Sequence, residues 1–421
     1  SIYGGLRSSY DYGPLGVSLK NNLAASWWRD INNDDNLSIY PVDTAIIQSS
    51  EVWKASGHLA EFSDPMVDYK PTGERFRADQ VPDDLKKEDL TEPRHFNLMF
   101  ETNIGPVHNE NSAVYLRPET AQGIFVNFEN VLRTMRAKLP FGIANIGKSF
   151  RNEITPGQFI FRTREFEQME IEYFCRPEDG LRLTDEWLAN RLAFYDEIGL
   201  KKEKLHVLDI PDGERAHYSQ KTYDIEYDFP FGQQELEGVA YRGDYDLGKH
   251  KEHSGKPLEY FDEQTKERFI PHVVEPSAGC DRTILALICE AFDEEDLTKE
   301  GGKQDIRTVM RFKPTIAPIK AAILPLLKNK PELVEKAREV KNLLQPFMNV
   351  FYDETAAIGR RYRRQDEVGT PFCIAIDFET MGLEEGKEDL KDTVTIRHRD
   401  SMEQERVAIS ELLPWLLERI H

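Results

Sequence analysis

Cysteine is scarce in this chain of 421 residues: Cys175, Cys280, Cys289 and Cys373 are the only four, and none forms a C-x-x-C pair. A secreted fold stapled by disulfides is therefore excluded, and ten scattered histidines add no zinc-ligand spacing to the cysteines. Long apolar runs are missing too, since none approaches the roughly 18 residues that span a bilayer. No secretion signal is visible; because the chain opens at Ser1 rather than Met, its native start is expected to lie upstream. A reducing cytoplasm is the expected compartment, without a membrane partner. A basic excess is also absent. Lys plus Arg number 54 against 75 Asp plus Glu, a net charge of −21, which on its face argues against a nucleic-acid partner. No internal repeats appear.

Charge itself is abundant. Charged residues make up 31% of the chain, above the roughly 25% usual in globular domains. The length allows two or three domains with full apolar cores. The charge is divided unequally: residues 303–421 hold 20 Lys plus Arg against 20 Asp plus Glu, so residues 1–302, with 34 against 55, carry the whole net −21. The last quarter is a compositionally distinct unit. It also contains the densest basic cluster, Arg360, Arg361, Arg363 and Arg364. Such a cluster is ordinarily the solvated face of a helix; contact with a polyanion is the second reading it supports.

Hydrophobic periodicity and turn residues divide the chain further. After a glycine-rich opening, YGGLRSSYDYGPLG, the spacing of Val17, Leu19, Leu23, Trp27 and Ile31 predicts an amphipathic helix, and 41–47 a strand. Residues 70–95, polar and rich in Asp, Lys and Pro, predict a mobile insertion. A helix is expected over 121–137, its apolar face built from Ile124, Phe125, Phe128, Val131, Leu132 and Met135. Another helix is expected over 181–199, strands within 218–242 and a polar insertion over 246–268. A strand from Val273 then runs into a helix over 283–292. This mixture indicates an α+β unit on an antiparallel sheet. Beyond a boundary near 302–315, strands at 319–326, 349–352, 372–378 and 393–398 alternate with helices at 332–344, 356–367 and 406–420, the pattern of a small α/β domain. The expected division is 1–305, with insertions near 70–95 and 176–270, and 306–421.

Residues 150–174, FRNEITPGQFIFRTREFEQMEIEYF, carry the densest chemical signal. Side chains alternate sides along a strand, so Arg162, Arg164, Phe166, Gln168, Glu170 and Glu172 are expected on one face, with Thr163, Glu165, Glu167, Met169, Ile171 and Tyr173 on the other. A turn at Thr155, Pro156 and Gly157 folds this strand back on one bearing Arg151 and Glu153. Taken alone, such a face is a solvated sheet surface with weak cross-strand ion pairs. Here it combines planar cations, a stackable ring and spaced carboxylates, the parts that hold a nucleotide and an amine together. Two further segments join it, Arg117-Pro-Glu-Thr120 and Glu275-Pro-Ser-Ala-Gly-Cys-Asp-Arg282. The second reads as strand, turn and helix N-terminus, where backbone N–H groups and Arg282 either face an anion or simply cap a core helix.

FRNE followed by RTREF, then GxDR at a helix start, resembles motifs 2 and 3 of the class II aminoacyl-tRNA synthetases. YGGL, DYGPLG, SGH, RPETAQGIF, EFEQMEIEYF and EPSAG resemble the homodimeric glycyl-tRNA synthetases within that class, with matches from Ile2 to about Leu417. The resemblance implies a seven-stranded or similar antiparallel catalytic sheet and a C-terminal anticodon-binding domain. It implies ATP, magnesium, glycine and tRNA as ligands, and a homodimer with residues from Leu19 to Ile47 in the region of motif 1. No zinc is expected, since residues 70–95 lack the cysteines some relatives carry there.

By motif position, the resemblance puts the catalytic pair at Arg151 and Arg282. Arg151 holds the α-phosphate and the carboxylate being activated, with Asn152 and Glu153 beside it and Glu153 near the adenine amino group. Phe166 stacks on the adenine; Arg282 lies on its other side and reaches the γ-phosphate. Phe161, Arg162, Thr163, Arg164, Glu165, Leu236, Gly279, Cys280 and Asp281 complete the ATP set, and Glu235 of QQELEG belongs with ATP and its magnesium. For glycine, the matched positions are Glu119, Glu170 and Glu275 around the ammonium, Ser277 beside it, and Arg242 and Arg77 linked to the substrate. Phe166, Glu167, Gln168, Met169, Pro276, Ala278 and Gly279 complete that set. A pocket filled with carboxylates leaves no room for a methyl group, and steric exclusion discriminates more strongly than a missing methylene.

The implied reaction has two in-line steps, attack of glycine's carboxylate on the α-phosphorus of ATP and then attack of the terminal tRNA ribose hydroxyl on the glycyl-adenylate. Positioning and charge neutralisation suffice for this, so no Ser, Cys or His nucleophile is expected, and His58 of SGH reads as a structural hydrogen-bonder. Two alternatives share parts of the pattern. One is a class II synthetase for threonine, proline or serine, against which EFEQMEIEYF and EPSAG stand. The other is a synthetase-derived binding subunit, which should have lost motif arginines; Arg151 and Arg282 are both present.

Overall fold

The computed structural model describes residues 2–32, 38–106, 112–216 and 218–420. By backbone contacts the chain forms two units. One comprises Ser1–Asp11, Arg29–Phe194 and Lys202–Leu285; the other comprises Tyr12–Trp28, Tyr195–Lys201 and Ala286–His421. α1 (Pro14–Asn32) contributes to both. Leu19, Leu23, Trp27 and Ile31 recur every four residues and are buried, while Val17 is exposed. Two residues from Leu19, Val17 falls on the opposite side of the helix.

A seven-stranded sheet organises the first unit. Its strands in chain order are β1 (Ile39–Pro41), β2 (Phe141–Phe150), β3 (Glu165–Cys175), β4 (Leu205–Asp209), β5 (Lys221–Phe229), β6 (Gly232–Gly243) and β7 (His272–Gly279). Their order across the sheet is β1-β2-β3-β7-β6-β5-β4. Only the β1–β2 pair is parallel. The strand expected over 41–47 is instead split between β1 and a short strand at Ile47–Gln48. The reason is the buried Arg117, whose guanidinium takes the Thr44 carbonyl and hydroxyl, both at 2.8 Å.

One face of β3 changes character along its length. At one end Phe174 packs with Phe141 of β2 and Val273 of β7 beneath α2 (Ala121–Phe125) and α3 (Phe128–Met135), in a cluster that includes Ile124, Phe125 and Phe128. The Phe128 and Phe174 rings lie 4.7 Å apart, and each large apolar side chain so buried is worth roughly 1.5–3 kcal/mol. Moving along the same face, Glu172, Glu170, Gln168 and Phe166 follow. The opposite face is apolar: Met169, Ile171 and Tyr173 are buried, and Tyr173 meets Trp187 of α4 (Gly180–Ile198) edge-on at 5.3 Å. The single helix expected over 121–137 is two, because the Asn127 side chain takes the Gly123 carbonyl at 2.9 Å and competes with the helical backbone.

The hairpin also differs from expectation. β2 ends at Phe150 and β3 begins at Glu165, so Arg151, Glu153, Arg162 and Arg164 sit in the connecting loop. Pro156 has no N–H to offer a ladder, and Gln158 and Phe159 adopt φ of 58° and 56°, which no strand accommodates. The loop closes through a Gly157–Arg162 bridge and an Arg151 N–H bond to the Arg164 carbonyl of 2.9 Å. Residues 70–95 hold a strand at Glu74–Arg77 paired to Ser63–Tyr69, which also pairs with Arg94–Asn97. The polar stretch over 246–268 begins as α5 (Tyr245–Ser254), which buries Asp246, Leu247 and His250.

β7 runs without a loop into α6 (Cys280–Ala291). A Cβ on Gly279 would meet the Arg282 side chain at 3.3 Å, so glycine leaves that side chain room.

The second unit has a five-stranded sheet built from β8 (Ala321–Pro325), β9 (Val350–Tyr352), β10 (Phe372–Ile376), β11 (Thr393–His398) and β12 (Gln404–Ala408), in the order β9-β8-β10-β11-β12. β8 pairs in parallel with β9 and β10, and the last two ladders are antiparallel. α7 (Pro331–Leu344), α8 (Ile358–Val368) and α9 (Ile409–Ile420) complete it, with Ile323, Leu333, Ile374, Ile396 and Leu416 among its core. Residues 406–408, expected as the start of a helix, instead belong to β12, where Arg406 reaches Asp377 and Thr395 at 3.0 and 2.9 Å. A hairpin of Phe292–Asp296 with Ile306–Met310 was not legible in the sequence.

Candidate active site

The polar end of β3, the end of β7, β6, β5 and the 151–164 loop enclose a cavity of about 390 Å³. Its carboxylates come from three elements. Glu119 precedes α2, Glu170 is on β3, and Glu275 is on β7, each lining the cavity. Glu170 accepts hydrogen bonds from the Thr120 and Ser277 hydroxyls, the latter at 2.8 Å. Glu119 accepts from Gln122 at 3.0 Å and faces His58 Nε2 at 3.4 Å. His58 in turn contacts the Ser56 hydroxyl at 2.8 Å through Nδ1, so it acts as a hydrogen-bonder that holds Glu119.

Arg242 stands behind this group. Its guanidinium bonds Glu275 Oε1 at 2.7 Å and clasps Asp246 at 2.7 and 2.8 Å. The Tyr218 ring lies 3.8 Å from it, a cation–π geometry, and Tyr218 lines the cavity.

Burial and charge set the acids apart. Burial pushes every one of these carboxyls upward, because it disfavours the charged form. For Glu119 that push is overcome by His58, Arg242 and Gln122, which hold it well below the usual range. Glu170 is raised by burial and by Glu119, with Thr120 and Ser277 opposing. Glu275 is pushed up to about 8 by burial, opposed by Arg242 and reinforced by Glu170 and Glu119. Three glutamates and Asp246 thus face one guanidinium, an arrangement suited to a small cation such as an ammonium.

The other end of the cavity presents cations and rings. Among the described residues the Arg151 side chain makes one hydrogen bond, from Nε to the Pro118 carbonyl at 3.0 Å. Its guanidinium lies 5.3 Å from the Phe166 ring and 5.5 Å from Phe62. Arg282 bonds the Phe161 carbonyl at 3.2 Å and Glu235 Oε2 at 3.0 Å, with the Phe161 ring 4.3 Å away. Glu235 is pushed up by burial, but Arg282, Arg151 and Arg162 bring it below the usual range. Asp224, on β5, is raised to about 7 by burial and by Glu235 and Glu226, against Arg282. Two guanidiniums flanked by rings suit a nucleotide, and Glu235 with Asp224 offers only oxygen donors, which suits a hard divalent cation.

Of the residues expected from sequence, Arg151, Glu153, Phe161, Arg162, Thr163, Phe166, Glu167, Gln168, Leu236, Ala278, Gly279, Asp281 and Arg282 line the cavity with the acids already named. Asp281 also accepts the Glu167 backbone N–H at 2.7 Å and ties α6 to β3. Others are elsewhere. Arg77 is spent on Asp79 and Asp64, 2.9 and 3.3 Å away. Met169 is buried on the far face of β3, Cys280 is buried in α6, and Pro276 lies within β7, outside the lining. Glu165 turns outward to Lys148 at 2.8 Å, Arg164 bonds the Glu153 carbonyl at 3.2 Å, and Asn152 uses its backbone N–H on Leu98. Sequence reasoning missed Tyr218, Asp224, Ile210, Ala240 and the 214–216 segment, all at the cavity. Tyr218 and Asp224 sit outside the motifs and carried no signal of their own.

Comparison with known proteins bears on the same regions. The model of the class II tRNA synthetase core domain (G, H, P, S and T) matches residues 100–291, and that of the anticodon binding domain matches 320–419. Over its full length the chain is similar to the glycine-tRNA ligase of Clostridium acetobutylicum, 50% identical over 100% of this chain and 94% of the relative. It is also similar to those of Clostridium perfringens, 49% over 98% and 92%, and Thermobifida fusca, 48% over 100% and 94%.

Proposed function

The chain belongs to the glycine-tRNA ligase family of class II synthetases, and from that premise we propose the roles its cavity residues take in joining glycine to tRNA. The reaction class is the ATP-dependent ligation of glycine to tRNA for translation. Glu119, Glu170 and Glu275 receive glycine's ammonium, with Ser277 orienting Glu170 and Arg242 orienting Glu275. The observation that carries this is the convergence of three carboxylates from separate elements, Glu170 and Glu275 buried and Glu119 half-buried, on a cavity whose other end holds Arg151 and Arg282. Glycine spans the gap: its ammonium at the acids, its carboxylate toward Arg151.

Arg151 neutralises the α-phosphate as the glycine carboxylate attacks it, the bond to pyrophosphate breaks, and glycyl-adenylate forms. The tRNA terminal ribose hydroxyl then attacks the activated carbonyl and AMP leaves. Phe166 stacks on the adenine, with Arg282 on the other side. Preorganised cations of this kind are typically worth about 10²–10³ in rate each. Magnesium is assigned to Glu235, with Asp224 beside it; the ion would neutralise the ATP phosphates. No zinc enters this reading.

The second unit is assigned to tRNA anticodon contact, which the matched anticodon-binding model over 320–419 supports. Homodimeric assembly is proposed from the exposed apolar side chains Ile2, Tyr3, Leu6 and Tyr10, and its check is the solution mass. Four free cysteines support a reducing cytoplasmic setting, and among the described residues no helix is long and apolar enough to cross a membrane. The domain division proposed is 1–305 and 306–421, a catalytic and an anticodon-binding part.

Pyrophosphate exchange measured across the standard amino acids tests the reading. Glycine alone should support exchange; exchange with serine, threonine or proline in its place would overturn it.

A further inference from the structure

Glu172 is an acid of the β3 face that the roles above leave unused. It is fully buried, and neither of its oxygens meets a hydrogen-bond donor among the described residues. An ionised carboxylate so placed is costly, whereas a neutral one can donate. The residue stands where the face changes character. Phe174, two residues on, belongs to the apolar cluster under α2 and α3, while Glu170, two residues back, lines the cavity.

Across the β3–β7 ladder, Val274 pairs with Tyr173 and Ser277 with Glu170, so Glu172 and Glu275 fall opposite each other on one face. Carboxyl oxygens of Glu170, Glu172 and Glu275 lie within 4.8 Å of one another. Glu170 already accepts from Thr120 and Ser277, one on each oxygen. Glu275 receives Arg242 on Oε1, which leaves Oε2 as the acceptor nearest to need.

We propose that Glu172 is a positioning residue of the glycine site, a neutral carboxylic acid whose O–H donates to Glu275 Oε2 and aims that carboxylate at the incoming ammonium. This rests on the glycine reading of the cavity. Facing carboxylates in a buried site cannot both ionise. A proton kept on Glu172, the deeper of the two, frees the cavity-facing Glu275 to lose its own when the ammonium arrives. An ionised Glu172 would instead keep a proton on Glu275 and cancel the charge that glycine needs. Burial comes first among the causes that hold the Glu172 carboxyl well above the usual range, then Glu275, with Arg242 opposing and Glu170 and Asp246 adding.

The test has two arms. In pyrophosphate exchange, Glu172→Gln keeps a donor of the same size and should hold the glycine KM within about threefold. Glu172→Met keeps the volume without the donor and should raise the glycine KM about tenfold or more, with the ATP KM unchanged. Equal glycine KM values for the two variants would overturn the proposal. Should Glu172→Met fail to fold, the infrared C=O stretch of a protonated carboxyl decides instead. At pH 7 it should lose one carboxyl's intensity in Glu172→Gln, beside whatever Glu275 contributes; a band that is absent, or whose intensity the substitution leaves unchanged, overturns the proposal. The infrared arm needs no glycine, so it stands apart from the substrate reading, which fails only if glycine supports no exchange at all.

Discussion

Arg361 in the second unit donates to three main-chain carbonyls, those of Pro325, Asp353 and Leu326, at 2.6, 3.0 and 3.1 Å, and is buried. Arg151 in the first unit has a guanidinium that makes one hydrogen bond among the described residues, to Pro118, and lies near two rings at the cavity wall. The contrast extends beyond this pair. Arg307 and Arg397 both bond Asp366, at distances from 2.9 to 3.1 Å. Their donors are committed to holding the second fold together. In the catalytic unit, guanidiniums and carboxylates are instead arranged around a space. Charge density in a sequence does not separate these uses; a count of each group's partners does.

The contrast is open to direct tests. Arg151→Ala should lower glycine-dependent pyrophosphate exchange about 10²-fold or more while thermal unfolding stays nearly unchanged, because little in the fold depends on its guanidinium. Arg361→Ala should do the opposite, destabilising the second unit by about 3 kcal/mol in urea unfolding, since three buried carbonyls lose their donor. If Arg361→Ala left stability intact, the claim that its donors serve the fold would be wrong.

The correction at Arg361 shows how far sequence reading went. Four arginines in five positions read first as a solvated helix face and second as a polyanion-binding one, but α8 turns Arg361 into the core. Arg363 goes to Asp305 at 2.9 Å, and Arg364 to Thr355 and Asp353. Only a partner count in three dimensions reveals that. The β3 face was legible because a period of two survives in sequence, and Glu170, Glu275 and Arg282 sit in motifs. The 151–164 loop was misread as strand because positive φ at Gln158 and Phe159 leaves no mark in residue type. Tyr218 and Asp224 were invisible because their importance comes from β5 and the preceding loop being brought beside Arg242 and Arg282.

Two smaller effects refine the comparison. Glycine kcat/KM should rise with pH from 6, about tenfold per unit at first, and level only above about 8. Glu275 is neutral below its raised value of about 8 and gains the charge that pairs with ammonium above it. A flat profile would remove Glu275 from the ammonium site. In the second unit, Arg360→Gln, at an exposed position, should weaken tRNA binding by only a few-fold and lessen its salt dependence. An unchanged salt slope would make Arg360 merely solvated.

The central claim is that one cavity has a glycine end and an ATP end. Its most direct measurement is a pair of KM values in pyrophosphate exchange for Glu170→Gln and Arg282→Gln. The first should raise the glycine KM and leave that for ATP, and the second should raise the ATP KM and leave that for glycine. If both constants moved together in both variants, the division of the cavity would be contradicted.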